Sequence, residues 1–263
     1  MRKFDEHYKR YHFLYMSILK EFGFGKRSLL ESGISVEVKA MLDYLNTENG
    51  QTFNPRDLTV RMASNVISSI LFGRRCNLNE DPSEAVRTAI WMVENMDAVL
   101  DVVPILRFTP SRRRLLQQLA KANDHLVASM KDEIRKSLEL DAPASFVSRV
   151  VDKEGPEYDE EQMVITLREL IAAGSETMIA SLLWSYVLLA NNPSVQERMQ
   201  RELDEVIPNG SLPTLDDQPR LPFVEATIME IMRRATVASI SAPRITLKDT
   251  ELCGYHIPSG TVV

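Results

Sequence analysis

The stretch from Asp159 to Pro193 limits what this chain can fold into more than any other. No proline interrupts it between its ends. Asp159 followed by Gln162 has the spacing of a helix capping box, and Glu160 and Glu161 fall in the first turn, where carboxylates favour the positive end of the helix dipole. At the far end, Asn192-Pro193 reads as the cap and first residue of a following helix. These signals predict one helix of about 32 residues, a rod of roughly 48 Å. From Leu170 onward the segment is apolar on nearly every face, the pattern of a helix buried all round. Its middle breaks that pattern with Ala173-Gly174-Ser175-Glu176-Thr177. A glycine costs about 1 kcal/mol against alanine in a helix interior, and a carboxylate costs more unless it is paired, hydrated or protonated. Function is expected where a consistent element breaks a local rule.

The remaining signals are mostly helical too. Helices are expected over His7–Phe22, closed by Phe22-Gly23-Phe24-Gly25, and over Ser28–Leu45. Asn54-Pro55 opens another that Gly73 stops, and Asp81-Pro82-Ser83-Glu84 opens a fourth near Ala85–Val102. Pro104–Pro110 is expected to be a loop with exposed hydrophobics, and a helix follows from Ser111, with Arg112-Arg113-Arg114 in its first turn as a solvated basic face or a partner surface. Leu138–Tyr158 reads as polar and irregular. Beyond the long helix come helices from Pro193 to about Val206 and from Pro222 to Arg234, separated by a turn at Pro208–Ser211. Only after Pro243 do Arg244–Leu247 and Cys253–Val263 read as short strands, the last expected to leave an open, aggregation-prone edge. Nothing divides residues 1–263 into independent domains, so the expectation is one mainly α unit with a small β portion.

A formal net charge of −6, from 31 basic and 37 acidic residues, argues against a nucleic-acid binder, since it implies no broad cationic surface. Cys76 and Cys253 are far apart, and the four histidines form no ligand pattern, so neither a disulfide framework nor a structural zinc site is indicated. Met1–Glu6 reads as neither signal peptide nor anchor, and none is expected within this chain. Leu170–Ala190 has the length of a membrane span, but Glu176 would cost about 3 kcal/mol at mid-bilayer, which favours a buried helix in a soluble protein.

Two pairs carry candidate chemistry. Glu176-Thr177 sets an acid beside an alcohol in a weakened helical turn, either a proton relay or a core helix whose acid reaches an internal water. Glu230 and Arg233 share a helical face, as a surface ion pair or, given Ile228, Met229, Ile231 and Met232 around them, a buried one.

In order and spacing, Ala173–Thr177, Glu230-x-x-Arg233, Pro243-Arg244 and Gly254-Tyr255-x-Ile257-Pro258-x-Gly260-Thr261 resemble the cytochrome P-450 family, in particular its animal microsomal clan. Phe22–Arg27 and Leu71-Phe72-Gly73 extend the resemblance along the whole chain. It implies an incomplete P-450-like helical fold whose long helix passes over a haem b. Ala173 and Gly174 would leave room for oxygen there, and Glu176 and Thr177 would guide protons to it; Met178 replaces the second hydroxyl common in the family. Glu230 and Arg233 would form a structural ion pair on the haem's other side. Arg244 would bind a haem propionate, with Tyr8 and His12 in place of the family's Trp-x-x-x-Arg. Val237, Ala238, Ser239, Ile240 and Ser241 would line the substrate pocket. The family's iron-ligating cysteine would lie beyond Val263, so no residue of this chain is expected to hold the metal, and the N-terminal anchor would also be missing.

The implied activity is that of a haem-dependent monooxygenase that hydroxylates a lipophilic small molecule such as a steroid or xenobiotic, inactive as this fragment. Its partners would be an NADPH-dependent flavoprotein reductase and, for the full-length parent, the endoplasmic reticulum membrane. The alternative is a non-catalytic helical fragment that binds a lipophile or a partner.

Overall fold

A computed structural model describes residues 5–24, 27–76, 78, 82–95, 108–139, 144–155, 158–208, 210–239 and 244–263. Its helices are α1 (Glu6–Glu21), α2 (Arg27–Thr47), α3 (Pro55–Phe72), α4 (Glu84–Glu94), α5 (Pro110–Glu139), α6 (Phe146–Glu154), α7 (Glu160–Ala190), α8 (Pro193–Val206) and α9 (Pro222–Ala235). A 3-10 helix at Leu215–Arg220 precedes α9, and strands β1 (Thr250–Leu252) and β2 (Tyr255–Ile257) follow it.

Local caps explain most of the starts and stops. Asn54 accepts the Arg56 amide at 3.0 Å, Pro55 occupies the first turn of α3, and Gly73 ends that helix in the left-handed region at φ 69°. α4 is capped by Ser83, which accepts from the Val86 amide at 3.4 Å. The expected extension to Val102, the Asp81 cap and most of the Pro104–Pro110 loop lie outside the described residues; Phe108, at the end of that loop, is highly exposed. The irregular segment expected over Leu138–Tyr158 contains α6. Ser145 and Ser148 cap it reciprocally, and Phe146, Val147 and Val150 bury one face of it.

α7 runs unbroken for 31 residues, about 46 Å. Asp159 accepts the Gln162 amide at 2.9 Å, but the Gln162 side chain turns to the Thr166 hydroxyl, so the capping box is only half made. Asn192 likewise departs from expectation: its amide donates back to the Leu188 carbonyl at 2.7 Å and satisfies the end of α7, leaving α8 without a side-chain cap. The start of α9 is instead closed by Glu202 of α8, whose two carboxylate oxygens accept the Phe223 and Val224 amides at 3.1 and 2.8 Å.

α3, α4, α5, α8 and α9 all pack on α7. Met163, Leu167, Ile171, Ser175 and Ile179, spaced four apart, form its buried stripe. Against that stripe lie Ile67 and Leu71 of α3, Val86 and Ile90 of α4, and Leu126 and Met130 of α5, in a core that continues to α1 and α6. Each such side chain contributes about 1.5–3 kcal/mol of transfer free energy. A polar clamp ties α2 to this core. Glu37, 3% exposed, accepts from Arg75 at 2.7 Å and from Asn65 at 3.0 Å, while Asn65 also exchanges hydrogen bonds with both backbone groups of Cys76.

The prediction of a helix buried all round fails beyond this stripe. Ala173, Gly174 and Thr177 are exposed, and farther on Trp184 and Val187 remain 46% and 51% exposed. An all-apolar stretch fixes how much surface a helix can bury, but not how many neighbours arrive to bury it. α7 is long and apolar enough to cross a membrane, yet it is an integral part of this core.

The strands are short, as expected. β1 and β2 pair antiparallel through Cys253 and Gly254, whose φ values of 52° and 82° make a turn of the primed type that suits hairpins. Arg244–Thr246 pairs with Thr261–Val263, and Val263 exchanges both backbone hydrogen bonds with Arg244 at 2.8 and 2.9 Å. The expected unpaired strand at Val262-Val263 is therefore paired along one side.

Candidate functional site

The exposed middle of α7 is the focus of the site. At 3.6 residues per turn, Ala173 and Thr177 lie about 200° and 240° round the helix from Ile171, opposite the buried stripe. Glu176 lies about 140° round, on one flank, and Gly174 about 60° away on the other. The Thr177 hydroxyl donates to the Ala173 carbonyl at 2.7 Å, and Ser181 and Ser185 repeat the same back-bond along the helix. Helical backbone continues through this turn, so the weakening expected there does not break the helix.

Glu176 differs from its neighbour. Its Oε2 is fully shielded and has no hydrogen-bond partner among the described residues. Burial pushes the carboxyl above the ordinary glutamate range, the Glu94 carboxylate pushes it further, and the Arg56 guanidinium pulls it back. Arg56 and Glu94 form an ion pair that joins α3 to α4. No hydrogen bond links Glu176 to the Thr177 hydroxyl, so the adjacent acid and alcohol address different sides of the helix.

Gly174 is exposed on one side, but a Cβ built on it would stand 3.1 Å from Ile67 Cδ1. Part of what the glycine provides is therefore the close approach of α3, a requirement that the spacing of α7 alone does not reveal.

The other candidates occupy separate surfaces. Tyr8 and His12 stack on one face of α1, with ring centroids 5.7 Å apart and planes inclined by 12°. Arg244 is exposed on the paired strand, and its guanidinium has no side-chain partner among the described residues. No hydrogen bond between described residues joins either group to the Ala173–Thr177 turn.

Glu230 and Arg233 form a bidentate pair, with both contacts at 2.7 Å, and the arginine's hydrogen bonds hold the carboxylate below its ordinary range. The pair itself is not buried: its side chains are 53% and 72% exposed, and of the four apolar residues around it only Ile231 is buried, Ile228, Met229 and Met232 being each at least half exposed. Val237 is half-buried and Ala238 and Ser239 are exposed, while Ile240 and Ser241 lie outside the described residues. Cys76 has its backbone held by Asn65, and Cys253 sits in the exposed hairpin turn. An apolar groove of about 680 Å³ lies between α2 and residues 212–215 and includes none of these candidates.

The unit is mainly helical and built on one long helix, with short strands at its end. Residues 4–263 match the family model described as Cytochrome P450, and the chain belongs to that family. It is 31% identical over 261 residues to cytochrome P450 2M1 of Oncorhynchus mykiss, covering 93% of this chain and 51% of that protein. It is 30% identical to cytochrome P450 2J2 of Homo sapiens and to cytochrome P450 2D15 of Canis lupus familiaris, in each case across 94% of this chain and 52% of the relative. The chain thus spans about half the length of the curated relatives it matches.

Proposed function

We propose that this chain carries the oxygen-side half of a haem-dependent monooxygenase acting on a lipophilic small molecule, with a flavoprotein reductase as electron donor. The observation that carries this reading is the exposed Ala173–Gly174–Thr177 surface on a helix whose opposite face is core. A broad planar cofactor needs a surface without bulky side chains, and the small, exposed Ala173 and Thr177, with Gly174 on the flank beside them, would leave room for one. The chemistry of the other donors fits as well. The exposed Arg244 guanidinium suits a propionate through its planar fork, and Tyr8 and His12 can each donate a hydrogen bond, with His12 contributing charge only when protonated.

Haem b, when bound, supplies the iron at which dioxygen is reduced and one oxygen atom is delivered to the substrate. The work of the chain is to place protons. Glu176, whose neutral form is favoured by burial, stands next to the open face, and the Thr177 hydroxyl, whose hydrogen goes to the Ala173 carbonyl, would turn from that bond to donate there. Because the two do not touch, a bridging water or a rotation of the carboxyl has to connect them. Glu230 and Arg233 hold the shape of α9 and take no part in proton transfer. By the family resemblance, Val237, Ala238 and Ser239 would line the substrate side. In this reading, which follows the family resemblance, the iron ligand is neither Cys76 nor Cys253 but a cysteine beyond Val263. Association with the endoplasmic reticulum membrane belongs to the same reading of the whole protein.

Titration of the 263-residue chain with haem, followed by Soret absorbance, tests the seat and its propionate anchor. Arg244→Ala should weaken binding about tenfold, the worth of one charge-assisted hydrogen bond, while Lys248→Ala should leave it unchanged. Equal affinities for Arg244→Ala and the unaltered chain would remove Arg244 from the site. The carbon monoxide difference spectrum of the loaded chain should lack the thiolate-type band. Its appearance would return Cys76 or Cys253 to the role of ligand.

A further inference from the structure

Asn49-Gly50 turns the chain between α2 and α3, and both residues are exposed. Their φ values of 47° and 78° are positive at each position, as in the primed turns that asparagine and glycine suit. One backbone hydrogen bond, from the Gln51 amide to the Glu48 carbonyl at 2.9 Å, closes the turn. Among the described residues neither the Asn49 side chain nor the Gly50 amide has a hydrogen-bond partner. A Cβ placed at Gly50 would meet nothing within 4 Å, so the space around this amide is open. A free side-chain amide, a free backbone nitrogen after it and a following residue without a Cβ are what an intramolecular attack of that nitrogen on the side chain requires.

The other described asparagines are held or blocked. Asn54 caps α3 and precedes Pro55, which has no amide hydrogen to lose. The Asn65 side chain is committed to Glu37 and Cys76. Asn95, Asn191 and Asn192 each donate to a carbonyl one helical turn back, and Asn123 accepts from Arg168 at 3.1 Å. Asn46 lies within α2, where helical backbone fixes its dihedrals and the β-branched Thr47 follows it.

We propose that Asn49 is a site of spontaneous covalent modification, at which asparagine converts to a mixture of aspartate and isoaspartate. The peptide between Asn49 and Gly50 turns toward the side chain, opposed by the single Gln51–Glu48 hydrogen bond. The Gly50 nitrogen gives its proton to a solvent base and bonds to Asn49 Cγ. The bond from Cγ to the side-chain nitrogen breaks, ammonia leaves, and a cyclic imide results. Water then opens either carbonyl of the imide: one opening leaves aspartate, and the other runs the backbone through the side-chain carbon as isoaspartate. The sum is a water gained and an ammonia lost, with no oxidant or cofactor. The new carboxylate stands beside Glu48 just past the C-terminal end of α2, where the helix dipole disfavours negative charge. Isoaspartate also lengthens the backbone that joins α2 to α3.

The test is incubation of the folded 263-residue chain at mildly alkaline pH beside a sample in urea, followed by trypsin digestion and mass spectrometry of the peptide spanning residues 40–56. Fragment masses locate the conversion, and an isoaspartate methyltransferase counts the isoaspartate. In the folded chain Asn49 should convert ahead of Asn46, Asn65, Asn95, Asn123, Asn191 and Asn192, and faster as the pH rises. Asn49→Gln, whose longer side chain would have to close a larger ring, should lose the mass gain from that peptide. Gly50→Ala should reduce it, because the added Cβ crowds the attacking nitrogen and is strained at positive φ. Far-UV circular dichroism checks folding, and if Gly50→Ala fails to fold, the comparison between the folded and urea samples of the unaltered chain decides alone. An Asn49 that converts in urea and stays intact in the folded chain overturns the proposal, as does prior conversion of one of the hydrogen-bonded asparagines.

Discussion

Gly174→Ala sets two opposed effects against each other. Replacing a helical glycine by alanine gains about 1 kcal/mol of backbone entropy and propensity. The added methyl would meet Ile67 Cδ1 at 3.1 Å, a few tenths of an ångström inside ordinary contact. Ile67 is 7% exposed and belongs to the core, but the clashing atom is the free end of its side chain. Moving it off its rotamer costs about 0.5–1.5 kcal/mol. The net change should therefore lie within about 0.5 kcal/mol of zero. Ile67→Val removes the clashing methyl and by itself should cost about 1 kcal/mol through the space it leaves. In the double variant the new alanine methyl fills part of that space, so the combination should be about as stable as the original chain, with a favourable coupling of roughly 1 kcal/mol. Urea unfolding of the four proteins, followed by far-UV circular dichroism, measures all terms. Additive effects of the two substitutions would refute the packing account of Gly174. So would a loss above about 2 kcal/mol for Gly174→Ala that Ile67→Val fails to relieve.

Two further outcomes follow from charges at helix positions. Glu176 has its folded-state affinity for the proton raised by burial, so the stability it allows is fully present below the ordinary glutamate value and is lost as the pH rises through the folded value. Glu176→Gln should therefore stabilise the chain by of order 1 kcal/mol at neutral pH, a modest figure because part of the side chain is solvated, and the gain should vanish near about pH 4; thermal melts across that range read it, and a pH-independent difference would contradict it. Glu202→Ala removes both acceptors at the start of α9 and should cost about 1–2 kcal/mol in urea unfolding, with Glu202→Gln recovering part of the loss. A neutral Glu202→Ala would mean that solvent satisfies those amides equally well.

The helical class and most element ends were legible because their signals are local: Asn54-Pro55, Gly73, Asp159 and Pro222 each act within one turn of the residue they cap. α6 escaped because its apolar face is short and set among charged residues, although Ser145-x-x-Ser148 was available as a capping signal. Asn192 misled because an asparagine between two helices can serve either end, and here it serves the earlier one. The spacing of Glu230 and Arg233 fixed their pairing but not their burial, which depends on what stands over Ile228 and Met232. In the candidate site, the breach of pattern at Ala173–Thr177 was visible from α7 alone. Ile67, Arg56 and Glu94 were not, since each comes from a helix remote in sequence and only packing brings it to the turn.

The angular order of residues round α7 explains why the site tolerates a glycine and an acid in so long a helix. The stripe from Met163 to Ile179 secures one side, so the opposite side at Ala173 and Thr177 is free of any duty to the core. Gly174 and Glu176 lie on the two flanks between these sides, and each meets a demand from both. The missing side chain of Gly174 admits Ile67 of α3 while its exposed backbone widens the open face. The Glu176 carboxyl is shielded enough to favour its neutral form, yet the charges of the Arg56–Glu94 pair still act on it. A residue on a flank cannot be changed for one purpose alone. Substitutions at Thr177 should therefore separate function from stability, whereas those at Gly174 and Glu176 must alter both.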